Sequence, residues 1–133
     1  MDMDSNMKEL FRDFSFNNGD SSAMQIRINN TSLPLEYIDF LKIYNGGEGS
    51  IGENAYLELW KYADLLSNNE AYDVKNCLTD SCLIGTNLSG EMYGIDVSGN
   101  YFAVPDIPMN DEEKIIIGSS FKEFIEGLNE YLE

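Results

Sequence analysis

Apolar residues at Met7, Leu10, Phe11 and Phe14 follow the i, i+3, i+4, i+7 spacing of one helical face and predict a short helix beginning near Ser5. The polar run NNGDSS at 17–22 ends it as a loop. Residues 23–28 read as a short strand or extended chain. A second helix opens at Leu33-Pro34, because proline fits the first turn, where its missing N–H would have had no partner. Thr31 and Ser32 offer capping hydroxyls, and Glu36 and Asp39 lie toward the positive end of its dipole. Tyr37, Leu41 and Tyr44 share a face of this helix, with Ile38 and Phe40 at its edges.

The glycines that follow, Asn45-Gly46-Gly47-Glu48-Gly49, pose a choice between a phosphate cradle and a helix stop. A cradle precedes a helix, where free N–H groups meet the anion. Here the glycines come after one, at the negative end of its dipole, and Glu48 stands where a cradle would carry lysine. They read as a stop, with glycine taking the left-handed conformation after the last turn.

Residues 56–60 (YLELW) alternate as a strand, and 61–69 read as a short helix with Tyr62, Leu65 and Leu66 inward. Strands at 81–88, 91–97 and 100–104 follow, separated by Ser89-Gly90 and Ser98-Gly99. Connections this short force antiparallel neighbours and hence a meander. Pro105 and Pro108 bracket a break, the acidic loop 110–113 follows, and 114–117 (KIII) predict another strand. Ser120 and Glu123 form a capping box for a last helix with a buried stripe of Phe121, Phe124, Ile125, Leu128 and Leu132. The pattern is that of an α+β protein, one mainly antiparallel sheet with helices packed against it. With 133 residues and no linker or repeat, a single domain spanning 1–133 is expected.

Composition removes chemistry. The chain has no histidine, which excludes Ser-His-Asp and Cys-His catalysis and, with only two cysteines, leaves a structural zinc site short of ligands. Cys77 and Cys82 are expected as free thiols. No catalytic residue, metal or cofactor is indicated, and no carboxylate pair stands out among 24 acids. Trp60 reads as core first and as a binding anchor second. The start of the chain is acidic where a signal peptide would be basic, and no apolar run approaches a membrane span, so a cytoplasmic protein is expected.

Charge adds the one functional signal. Eight basic residues against 24 acidic ones give a formal net charge of -16, which repels nucleic acid and anionic lipid and draws cationic partners.

The ordered set Leu33, Pro34, Asn45, Gly46, Gly47, Trp60, Gly85, Gly90, Tyr93, Asp96, Ser120 and Phe121 resembles the SUKH superfamily, the fold of the Smi/Knr cell-wall regulators. The likeness covers about residues 32–128, and residues 1–31 diverge from it. It implies a SUKH-like α+β fold and a non-catalytic protein-binding module, in bacteria an immunity protein that neutralises a polymorphic toxin. The expected partner is a cognate toxin domain with a basic, nuclease-type surface, met by a monomer or weak homodimer. Glu48, Glu53, Glu91, Asp106, Asp111, Glu112 and Glu113 are the candidate contacts. A regulator or scaffold of cell-wall or glucan synthesis, and an acidic DNA mimic, are the alternative readings.

Overall fold

In the computed structural model, residues 2–131 are described. Short helix α1 (Ser5–Leu10) is capped by the Asp4 carboxylate, which accepts the Met7 N–H, and leads into strand β1 (Phe14–Phe16). Phe14, expected on the helical face, is therefore a strand residue, though buried as expected. The extended stretch at 23–28 narrows to β2 (Arg27–Ile28), which pairs with β3 (Thr31–Ser32) across Asn29-Asn30. Both asparagines have positive φ, the requirement of a two-residue hairpin turn. Thr31 and Ser32 thus belong to a strand. They do not cap helix α2 (Leu35–Ile43), whose N-cap is Pro34 with no side-chain hydrogen bond.

The main sheet has seven strands in the order β1-β4-β5-β6-β7-β8-β9, every neighbouring pair antiparallel. Its members after β1 are β4 (Gly47–Ile51), β5 (Ala55–Leu59), β6 (Ser81–Thr86), β7 (Glu91–Asp96), β8 (Tyr101–Pro105) and β9 (Ile115–Gly118). Between β5 and β6 the chain makes a 3-10 turn at Tyr62–Asp64, then α3 (Leu65–Ala71) and α4 (Val74–Cys77). Helix α5 (Phe121–Tyr131) follows β9.

Helices α1, α2 and α5 cover one face. Phe121 of α5 lies 4.7 Å from Phe40 and 6.3 Å from Phe11, ring centre to ring centre, and Phe124 stacks on Tyr101 at 5.2 Å. Phe121, Phe124, Ile125 and Leu128 are buried as the stripe predicted, while Leu132 lies outside the described residues. Ser120 Oγ accepts the Glu123 N–H, and the Glu123 carboxylate reaches back to the Ser119 N–H, a capping box shifted by one residue.

The meander is held by one device used twice. Asn87 Oδ1 accepts the N–H groups of Ser89 and Glu91, and Asp96 Oδ1 accepts those of Ser98 and Asn100. Strand β4 was not foreseen, because GEGSI carries almost no hydrophobic signal. Its glycines answer to packing: a Cβ on Gly47 would stand 2.4 Å from the Ser15 carbonyl oxygen of β1.

In α3 the inward positions are Leu65 and Asn69; Leu66, expected inward, is 51% exposed. Asn69 fills a gap left where β5 stops pairing with β6. Its amide donates to the Leu83 and Leu65 carbonyls and accepts the Leu83 N–H, so it stands in for a missing strand residue. Cys77 and Cys82 are both free, and burial pushes the Cys82 thiol up to about 12. Among the described residues no helix is long and apolar enough to cross a membrane.

Candidate functional site

The opposite face of the sheet is only partly covered. The segment after β8 folds over its far half, where Lys114 Nζ sits 4.8 Å above the Phe102 ring and Met109 packs on the core. Over β4 and β5 the face stays open and forms a cleft of about 650 Å³. One side-chain row runs across this face, and its members Glu48, Glu58, Thr86 and Met92 line the cleft. Ser15, Glu48, Glu58, Thr86, Met92 and Val104 are successive cross-strand partners, and strand alternation points them all to the same face. Glu48 and Glu58 therefore stand directly opposite each other, a pairing of like charges that sheets normally avoid.

Each of the two carboxylates is held by a neighbour on β5 or just after it. The Tyr56 hydroxyl donates to Glu48 Oε2 at 2.5 Å, and Trp60 Nε1–H donates to Glu58 Oε1 at 3.1 Å. Burial pushes the Glu58 carboxyl above the usual carboxylate range against the opposing Trp60 bond, and the neighbouring Glu48 pushes the same way. The Tyr56 phenol is raised because the hydrogen bond it donates to Glu48 favours its protonated form.

The walls come from loops that the fold fixes firmly. Asn45, with φ of 53°, and Gly46, with φ of 83°, end α2 in the left-handed region; a Cβ on Gly46 would lie 2.3 Å from the Leu59 carbonyl oxygen. The helix stop also builds the cleft: Asn45 Oδ1 accepts the Tyr62 N–H and its carbonyl accepts the Asn17 amide. The wall beyond is Lys61, Asp64, Asn68 and Tyr72. Tyr72 lies nearly parallel to Trp60, with centroids 5.9 Å apart and planes 14° apart. Across the cleft, the Thr86 hydroxyl clamps the hairpin that presents Leu88, and the Gly90 carbonyl accepts the Asp106 N–H. Tyr72 at 41% and Leu88 at 57% exposure give the rim an apolar edge.

The sequence-derived acids divide. Glu48 and Asp106 line the cleft, beside Glu58 and Asp64, with Lys61 the lone cation in the lining among the described residues. Glu91 is half-buried and not in the lining, its carboxyl raised by burial and by Asp106. Glu53 is exposed in the turn between β4 and β5 and is not in the lining. Asp111, Glu112 and Glu113 form a 3-10 turn at the other end of β6. There Asp111 accepts the Thr79 N–H and hydroxyl and pairs with Lys114 at 3.4 Å, contacts that hold its carboxyl below the usual range.

Among the cleft residues that escaped the sequence reading are Glu58, Asp64, Tyr72 and Leu88. The E-L-W alternation at 58–60 could have signalled Glu58 as a residue facing away from the core; nothing in the sequence pairs Tyr72 with Trp60. Trp60 itself serves both roles considered for it, being only 8% exposed and yet lining the cleft. Among the described residues no group of three or more acids and cysteines is arranged to hold a metal. The cleft offers acceptors and aromatic faces, an arrangement for gripping cationic side chains.

A model of the SMI1 / KNR4 family (SUKH-1) matches residues 25–127. No curated protein matches the chain.

Proposed function

This chain belongs to the SMI1 / KNR4 family (SUKH-1), and from that premise we propose that it is a non-catalytic immunity module that blocks a basic toxin domain. Its docking surface is the open cleft over β4 and β5. The observation that supports this reading is the cleft's lining: Glu48, Glu58, Asp64 and Asp106 against Lys61, between the aromatic edge of Trp60–Tyr72 and Leu88. A nuclease-type toxin is cationic where it grips phosphate, and an acidic cleft competes for that surface. The net charge of -16 adds long-range steering, which speeds encounter at low salt. The buried Trp60 with exposed Tyr72 and Leu88 beside it has the make-up of an interface hot spot, where aromatic anchors supply affinity and charges supply specificity.

The test is binding to the toxin encoded beside the gene, measured across ionic strength. The association rate should fall by about tenfold between 50 and 500 mM salt, and D64N with D106N should weaken the complex. Salt-independent association, or cross-links confined to surfaces away from the cleft, overturns the reading.

A further inference from the structure

Resting on that reading and deepening it, the geometry points to the Glu48–Glu58 pair as the seat of a single arginine side chain of the partner, which enters past the Trp60–Tyr72 stack.

Three observations converge on a guanidinium. First, the two carboxylates are direct cross-strand partners, and among the described residues no ion pair includes either of them. The fold thus keeps a repulsive pair where a hydrophobic or mixed-charge pair would be more stable. Second, both are positioned from the side: Tyr56 holds one oxygen of Glu48 and the Trp60 indole holds one oxygen of Glu58. The two carboxyl groups also hydrogen-bond to each other, so an incoming guanidinium takes the place of that shared bond. Third, a planar fork with five N–H donors can serve two carboxylates together and lie against aromatic rings, whereas an ammonium acts as a hydrated point charge.

The surroundings favour entry of a cation. Glu48 faces the site from β4, Glu58 from β5, Trp60 from the residue after β5, Thr86 from β6, Asp64 from the turn before α3 and Asp106 from the segment after β8. Lys61 is the one opposing charge, and its side chain is exposed. Burial and the neighbouring Glu48 hold Glu58 above the usual carboxylate range, so below that raised value an arriving cation has to displace a proton from the pair. Binding therefore weakens as pH falls through the raised value of Glu58.

The chain has one tryptophan, and it lies in the site, so its emission reports occupancy directly. N-acetyl-arginine amide and N-acetyl-lysine amide are titrated against the wild-type chain, E48Q, E58Q and, as a control away from the cleft, E53Q. The arginine probe should change Trp60 emission saturably and bind about tenfold more tightly than the lysine probe. E48Q and E58Q should each weaken it by about tenfold, and E53Q should not. Equal affinity for the two probes, no saturable change, or indifference to E48Q and E58Q overturns the seat. A basic toxin that binds the cleft but ignores E48Q and E58Q removes the seat and keeps the partner reading. A toxin that fails to bind the wild-type chain removes the reading itself.

Discussion

Glu36 Oε2 accepts the backbone N–H of Phe121 at 2.6 Å, joining the first turn of α2 to the first turn of α5 across 85 residues of sequence. The same oxygen accepts the Tyr101 hydroxyl at 2.8 Å. A helix begins with N–H groups that lack partners, and here one of them is served by a carboxylate from another helix. Glu36→Ala should cost about 2 kcal/mol, the range for a hydrogen bond to a charged group with its buried partners left over. Glu36→Gln keeps an acceptor and should cost about half as much. Urea unfolding checks both: the midpoint should drop with an unchanged slope. An Ala variant as stable as the wild type would show that water serves Phe121 equally well.

Asn69 is 2% exposed and meets both backbone groups of Leu83. Asn69→Ala leaves that N–H and C=O buried without partners and should destabilise by about 2–3 kcal/mol. Amide exchange gives the local readout. The Leu83 N–H should lose protection by more than the global destabilisation accounts for, because α3 separates from β6 before the sheet opens. Uniform loss across the sheet would contradict this.

Glu58 makes stability depend on pH in the direction opposite to a salt-bridged acid. Its folded carboxyl is raised, so the folded chain holds the proton where the unfolded chain has released it. That contribution is complete below the unfolded carboxylate value and is lost as pH rises through the raised folded value. Glu58→Gln keeps the acceptor for Trp60 and removes the repulsion with Glu48. It should stabilise the chain at pH 7 by about 0.5 kcal/mol, and the gain should vanish toward pH 4. Paired denaturation curves across that window measure it; a gap that stays constant with pH would exclude the mechanism. Higher stability together with weaker partner binding is the expected signature of a functional strain.

Local signals carried most of the fold. Ser89-Gly90 and Ser98-Gly99 with alternation on either side gave the meander, and Ser120 with the Phe121 stripe gave α5. Strand β4 stayed hidden because Gly47 and Gly49 are required by the backbone of β1, a neighbour far off in sequence. Asn69 went unremarked as an inward residue for a related reason. A buried amide pays off only when a strand edge lies beside it, and Leu66 offered the more obvious apolar choice. For the cleft, Glu48 and Asp106 were visible as acids in loops. Glu58 became its partner only through the register of β4 against β5, which a linear pattern does not contain. Asp111 shows the converse: an acid conspicuous in sequence whose contacts bind Thr79 and Lys114 of its own chain.

The excursion at 61–80 leaves the sheet from β5 and returns to β6, its immediate neighbour, so both ends are anchored by strands already paired at Glu58 with Thr86 and Leu59 with Gly85. Lengthening such a detour is cheap, about 0.6 kcal/mol for each doubling. Insertions that leave Asn69 and its bonds to Leu83 in place can therefore reshape one side of the grip while its carboxylate base stays untouched. Recognition is in this way uncoupled from architecture, and a lineage can reshape its cleft by editing one detour.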